Sequence, residues 1–498
     1  MPLLRKVLVA NRGEIAVRII RTCRVLGIPT VAVFSEADRA SRHVREADEA
    51  MWIGPAEAEE SYLSIERLLA AARAAGADAV HPGYGFLSQS GDFADAVKGA
   101  GLVFVGPPGD VHRRMGDKQA ARRLMAAAGV PVVPGYDGDE QSDARLLAEA
   151  RAIGWPVVLK PSRGGGGKGM RVVGREEGFP DALAASRREA RGAFGDDVMV
   201  LERLVERPRH VEVQVMADTR GRIVHLGERE CSVQRRHQKV AEETPSQALD
   251  RAGREALCAA GVAAARAAGY VNAGTVEFLL SPDGTFHFLE MNTRLQVEHA
   301  VTEAVTGLDL VRLQLEVGAG RPLRLAQGDV APRGHALECR LYAEDPHNDD
   351  LPCPGRVLHL SEPEGPGIRV DSGLDAGSVV SVHYDPLLSK IITWGQDRPE
   401  AIERMRDALR RTVVLGVVTN LARLRTIVEH PAFAAGDLHT GFIEEHLQEL
   451  VPSPCPPLEA IAAAAAVLSR GSSARVGARR LAPDPWASLG AWRLGEER

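Results

Sequence analysis

No run of the sequence approaches the roughly 18 consecutive apolar residues of a membrane span, and the opening MPLLRKVLVANRGE carries too short an apolar stretch for a secretory leader. The six cysteines, Cys23, Cys231, Cys258, Cys339, Cys353 and Cys455, show neither a CxxC pair nor Cys/His zinc spacing. That excludes a disulfide scaffold or zinc module and points to a reducing, cytoplasmic compartment. An excess of one charge is missing too. Lys plus Arg is 61 against 67 Asp plus Glu, a net charge of −6, so nothing marks a general nucleic-acid binder or a membrane-surface protein. The first strand–helix unit lacks GxGxxG, which removes the usual dinucleotide fingerprint, and no GxxxxGK[ST] occurs, which removes a P-loop. What remains is ordinary globular material, 45% hydrophobic and 26% charged over 498 residues, enough for about three domains.

Several segments are there in their place. KVLVA, a helical GEIAVRIIRTCRVLG ending at Gly27, IPTVAVFS, a second helix and GLVFVGPP alternate strand with helix, which predicts a doubly wound parallel sheet over residues 1–115. Residues 116–333 change texture. The helix DKQAARRLMAAAG precedes WPVVLKPSRGGGGKGMRVV, and β-rich segments follow, with 274–292 reading as a hairpin around SPDG. A mobile sub-body is expected over about 132–204, a mixed strand and helix region over 334–447, and an Ala/Pro-rich tail with little amphipathic pattern over 448–498.

The chemistry-bearing residues cluster in this middle region. A strand delivers Lys160 to a glycine run, whose N–H groups approach anionic oxygens without Cβ interference. Glu277 and Glu290 with Asn292 fall on facing strands of the hairpin, a set of hard oxygen donors suited to Mg²⁺. In HFLEMNTRLQVEHAV, period two puts Glu290, Asn292, Arg294, Gln296 and Glu298 on one face and Leu289, Met291, Thr293, Leu295 and Val297 on the other. A straight strand would carry Glu298 about 27 Å from Glu290, at about 3.3 Å per residue, so the chain must bend after about Asn292. Arg294 then offers a fork for a planar oxyanion, Glu298 a general base and the Val297 N–H a further donor. Gln234, Arg235, Arg236, His237 and Lys239 form a basic loop, His210 opens a strand, and Arg340 interrupts an apolar one in LECRLYAED.

As an ordered set, ANRGEIAVRIIR, HPGYGFLS, MGDK, GGGGKGMRVV, ERPRHVEVQV, CSVQRRHQKVAEE, EMNTRLQVEH and YDPLLSKII resemble biotin carboxylase, the ATP-grasp member of the biotin-dependent carboxylases, over residues 4–447. The resemblance implies an ATP-grasp fold between an N-terminal doubly wound domain and a C-terminal mixed α/β domain. It implies ATP, Mg²⁺ (or Mn²⁺), bicarbonate and carrier-borne biotin as cofactors and substrates. Lys118 and Lys160 would contact phosphates and Gly166 and Gly167 would cover them. Glu202, Arg203, Leu204 and Val205 would line the adenine, with His210, Gln234 and His237 near the nucleotide. Glu277, Glu290 and Asn292 would hold the metal; Lys239, Arg294, Gln296 and Val297 bicarbonate. Glu298 would be the base, and Arg340 would face the biotin ureido oxygen. A carrier protein or domain, a carboxyltransferase subunit and a homodimeric state are the implied partners, without nucleic acid or membrane. A carbamoyl-phosphate-type ligase and a silent nucleotide-binding subunit are the competing readings. Gln89, Arg163 and Lys168 depart from the family pattern, which has Glu, Gly and Arg there. No AMKM biotin-attachment motif occurs, while DPWASLGAWRLGEER resembles the segment after biotin carboxylase in acyl-CoA carboxylase α chains, so the carrier is expected on another polypeptide.

Overall fold

A computed structural model describes residues 4–163, 169–452 and 458–472. The chain divides into two compact units, Met1–Val451 and Pro452–Arg498.

The first unit opens with a five-stranded parallel sheet. From edge to edge its strands are Glu49–Gly54, Thr30–Ser35, Val7–Val9, Ala79–His81 and Val103–Phe104. The helix Gly13–Val25 is buried nearly all round, and Ile15, Ala16, Ile19, Ile20 and Cys23 pack into the domain core at the spacing its sequence predicts. It stops at Gly27, whose φ of +66° is a left-handed cap, and the Ile28 N–H closes back on Cys23 O at 2.9 Å. The edge strand Glu49–Gly54 was not legible in the sequence, because four of its six residues are at least partly exposed and its apolar pattern is weak.

A four-stranded sheet of Gly135–Tyr136, Met199–Arg203, Val157–Pro161 and Arg171–Val173 forms a small body with the helices Asp143–Ile153 and Phe179–Phe194. Leu146, Leu159, Phe179, Leu183 and Leu201 fill its core.

The largest element is an eight-stranded sheet in which every neighbouring pair is antiparallel. Its order is Phe286–Asn292, Asn272–Leu280, Arg209–Ala217, Ile223–Arg235, Gln238–Thr244, His335–Tyr342, Leu387–Gly395 and Ile368–Ser372. It continues through residue 334, so the segments on either side share one β-layer. On Arg209–Ala217, Val211, Val213 and Val215 belong to an apolar core with Leu257, Ala264 and Ala265 of the helix Arg251–Ala267. The alternate residues His210, Glu212 and Gln214 are buried as well. An alternating strand ordinarily turns its polar face to water. Here that face is enclosed, which removes solvent from a set of charged side chains.

In the second unit, Leu458–Ser472 is helical, with Leu458, Ile461 and Val467 exposed. The sequence reading found little pattern in this tail. The helix follows from its alanine run, which favours the helix through propensity and gives no periodicity to read.

Candidate functional site

Cross-strand register builds the site. Arg229, Glu212, Glu277 and Glu290 stand abreast on four adjacent strands, each opposite the next. Adjacent strands are about 4.8 Å apart, so three carboxylates are packed in a row that needs cations. Arg229, with no exposed surface, donates from Nε to Glu212 at 2.5 Å. Lys239 Nζ donates to Glu212 at 2.6 Å, to Glu277 at 2.8 Å and to Glu298 at 2.7 Å. His210 Nε2 lies 3.1 Å from the second oxygen of Glu277. Burial by itself pushes the Glu277 carboxyl up, but Lys239 and His210 hold it well below the usual carboxylate range.

The row is completed by a β-bulge. Glu277 faces Glu290 while Phe278 faces Phe288, so Leu289 is the extra residue. The strict period-two reading, which placed Leu289 on the apolar face with Met291, is corrected here. Phe286 and Phe288 pack in the core before the bulge and Met291 after it. Leu289 is only partly buried. The bulge is what lets Phe288 point inward and Glu290 point into the site. The strand ends at Asn292, as the length argument requires, and residues 293–298 form a turn leading into the helix His299–Thr306.

That turn folds its polar residues over the row. Asn292 Nδ2 and Gln296 Nε2 each donate to Glu277 Oε1 at 2.9 Å. Arg294 donates to Gln296 Oε1 at 2.6 Å and to Asn292 Oδ1 at 3.2 Å. Glu298, with no exposed surface, is shared between Lys239 and Arg340, whose Nη2 lies 2.9 Å from Oε2. Burial alone would raise the Glu298 carboxyl, yet Lys239, Arg340 and Arg229 hold it well below its ordinary value. It is therefore a carboxylate at neutral pH. Arg340 Nε also donates to Glu242 at 2.5 Å.

A second charged cluster lies at the small four-stranded body. Lys160 is buried against Glu202, which also accepts from Arg122 at 3.2 Å. Lys118 begins the helix Lys118–Ala127, capped by Asp117, and its backbone N–H donates to Ser162 O at 2.8 Å. Burial lowers the Lys118 ammonium, and Glu290, Lys160 and Glu202 are the charges it feels most. Lys118 thus lies within electrostatic reach of both Glu290 and Lys160. Arg163 lies 3.4 Å from Asp196 and 4.0 Å from Asp117, at the root of the glycine run. Gly166, Gly167 and Lys168 lie outside the described residues. Arg203, Leu204 and Val205 follow Glu202 at a strand end, with Arg203 N–H on Pro134 O at 2.8 Å and Leu204 N–H on Pro156 O at 3.0 Å.

Gln234 pairs with Lys239 across a two-residue turn and is buried. The turn itself is Arg236–His237, both with left-handed φ of +48° and +68°. His237 is exposed at its tip and makes no contact with the carboxylate row. Gln89 is exposed.

Sequence reasoning missed Glu212, Arg229, Glu242, Glu338 and Lys390. The signal was available for Glu338 and Lys390, which stand in mainly apolar strands as Arg340 does, but not for Glu212, on an alternating strand, or for Arg229 and Glu242, which have charged neighbours. It also missed a cavity of about 310 Å³ lined by Arg207, Arg209, Leu280, Leu438 and His439 among others. Its walls come from segments too far apart in sequence to suggest one another. Glu277, Glu290 and Asn292 share one face as hard oxygen donors, which fits a divalent cation of the Mg²⁺ type.

Comparison with known proteins places these features in a wider set. Residues 3–111 match the family model "Biotin carboxylase, N-terminal domain", residues 117–326 "Carbamoyl-phosphate synthase L chain, ATP binding domain", and residues 338–445 "Biotin carboxylase C-terminal domain". The chain is 49% identical to biotin carboxylase of Allochromatium vinosum over 446 residues, 89% of this chain and 99% of that protein. It is 50% identical to the mitochondrial methylcrotonoyl-CoA carboxylase subunit alpha of Rattus norvegicus over 449 residues, 90% of this chain and 63% of that one. The Dictyostelium discoideum counterpart is 48% identical over 491 residues, 98% of this chain and 70% of that one. The chain thus spans about two thirds of these α subunits. Among solved structures, biotin carboxylase from Campylobacter jejuni in a β-γ-ATP complex superposes with a TM-score of 0.87 at 41% identity, covering 89% of this chain and 99% of that one. The biotin carboxylase domain dimer of Hydrogenobacter thermophilus 2-oxoglutarate carboxylase, in complex with MgADP, ADP and bicarbonate, also gives 0.87, at 42% identity over 90% of this chain and 99% of that one.

Proposed function

Because the chain belongs to the biotin carboxylase family, we propose that it uses ATP and bicarbonate to carboxylate biotin presented on a carrier protein or domain, the first half-reaction of an acyl-CoA carboxylase. The observation that carries this reading is the enclosed polar sheet face. Glu298 is ionised between Lys239 and Arg340, beside the Glu212–Glu277–Glu290 row, with Lys118 within electrostatic reach of Glu290 and Lys160.

Each residue type suits its step. Lys239, Arg294, Gln296 and the Val297 N–H receive bicarbonate, and Glu298 takes its proton. The freed oxygen attacks the γ-phosphorus, ADP leaves, and carboxyphosphate results. Lys118 and Lys160 offset charge on the transferred group, and Gly166 and Gly167 cover it. A divalent cation held by Glu277, Glu290 and Asn292 supplies further charge neutralisation there. Carboxyphosphate breaks to CO₂ and phosphate, and the phosphate removes the proton from biotin N1′. Arg340 stabilises the enolate-like ureido oxygen while N1′ bonds to CO₂. Glu202, Arg203, Leu204 and Val205 flank the nucleobase, with His210, Gln234 and His237 towards the nucleotide.

A carboxyltransferase subunit receives the carboxyl group, and the chain acts as a homodimer. The described cysteines are free thiols, four of them buried, which suits a reducing compartment, and we place the protein in the cytoplasm. No described helix is long and apolar enough to cross a membrane.

Bicarbonate-dependent ATP cleavage with and without free biotin tests the reading. Strong stimulation by biotin supports it. Stimulation by glutamine or ammonia instead selects a carbamoyl-phosphate-type ligase, which shares the middle family model, and absence of turnover selects a silent nucleotide-binding subunit.

A further inference from the structure

The strand Leu387–Gly395 carries one charged residue in an otherwise apolar, buried run. Lys390 has no exposed surface. An ammonium so placed is costly unless strongly paired. Its shortest contact is not a carboxylate. Nζ donates to the backbone carbonyl of Val297 at 2.6 Å, while Glu14 lies at 3.4 Å and Asp371 at 3.8 Å. Both carboxylates have other partners. Asp371 accepts from Arg369 at 3.0 and 2.6 Å, and Glu14 accepts from the Tyr84 hydroxyl.

Register explains why this lysine reaches that carbonyl. Arg340, Lys390 and Asp371 stand abreast on three adjacent strands, side chains on one face. Arg340 grips the Glu298 carboxylate. Its neighbour Lys390 grips the carbonyl of the peptide that joins Val297 to Glu298. The base is therefore clamped twice, by side chain and by backbone, from adjacent strands of one rigid sheet.

We propose that Lys390 is a positioning residue for the reaction, fixing the Val297–Glu298 peptide so that the Glu298 carboxylate stays between Lys239 and Arg340 and the Val297 N–H stays turned to the anion site. This rests on the reading of Glu298 as the base. Lys390 touches no substrate. Its contribution is geometric, and small misplacement of a reacting group is enough to cost rate.

The test uses the full chain with Lys390→Met, which keeps most of the apolar stem and removes the donor. A second variant, Lys390→Gln, keeps a polar group in the cavity but is one bond too short to reach the Val297 carbonyl. Thermal unfolding checks that the variants fold. In folded variants, kcat/KM for bicarbonate falls about tenfold or more while KM for ATP stays within about twofold. A folded variant with wild-type bicarbonate parameters overturns the proposal, and so does a rise in KM for ATP as large as the change seen for bicarbonate. Failure of the wild type to cleave ATP in a bicarbonate-dependent way removes the functional reading itself. Wild-type activity with unaffected variants removes only the role of Lys390.

Discussion

Lys239 Nζ lies 2.7 Å from Oε1 of Glu298, and the same ammonium also holds Glu212 and Glu277. One cation therefore serves three buried carboxylates, and the charge state of Glu298, the proposed base, depends on it. Lys239→Met leaves those carboxylates short of their shared partner. We expect bicarbonate-dependent ATP cleavage to fall by about 100-fold or more, as for loss of a charged group at a reacting centre. The sign of the pH effect follows. Glu298 is held below its ordinary value by Lys239 and Arg340 against the upward push of burial, so removing Lys239 moves the acid limb of the pH–rate profile to higher pH.

Arg340 bridges Glu298 and Glu242 and is itself buried. Its proposed task is to stabilise negative charge on the ureido oxygen, a charge that develops only when biotin reacts. Arg340→Gln should therefore abolish most of the stimulation by biotin, about 100-fold, while slow ATP cleavage without biotin survives better. Measuring both rates on one preparation checks the split. An equal loss of both would place Arg340 on the bicarbonate step alone.

Glu290 faces Glu277 across the hairpin. Glu290→Gln removes one charged oxygen donor without touching Lys239. The Mg²⁺ concentration for half-maximal ATP cleavage should rise about tenfold or more, since a hard cation is held mainly by carboxylate charge. Glu277→Gln should be worse, because it also strips Lys239 and His210 of a partner. A magnesium titration of the variants decides this, and an unchanged midpoint in both would remove them as ligands.

Burial pushes the Glu242 carboxyl up to about 7, against the pull of Arg340. Its folded value lies above the unfolded value of about 4.3. The stability it contributes is therefore fully present below about 4.3 and is lost as pH rises through about 7. The buried histidines His43, His81 and His112, lowered from 6.5 chiefly by burial, oppose it below that value, so the comparison must be between variants. Glu242→Gln carries no such cost. Its Tm relative to wild type should be higher at pH 8 than at pH 6 by a few degrees, and a pH-independent difference would refute the assignment.

Part of this was open to reading along the chain. The glycine run after Lys160, the hairpin around SPDG and the Glu290–Glu298 alternation declare themselves locally, because helix, strand and turn periods are properties of neighbouring residues. The bulge at Leu289 did not, since one extra residue leaves the local pattern of polar and apolar side chains almost unchanged. Lys390 stands out locally as a lone charge in its strand, but not its role, which depends on a carbonyl 93 positions away.

Residue order alone thus settled which segments alternate, which loops carry glycine, and which acids and bases exist to do chemistry, since those depend on side-chain type and short spacing. Only the folded sheet decided that the polar face of the strands is enclosed, that Glu212, Glu277 and Glu290 fall into one row, and that Lys239, Arg340 and Lys390 meet at Glu298. Register across strands is a long-range choice, made when the apolar faces pack against helices such as Arg251–Ala267, and it is this packing that fixes charge beside charge.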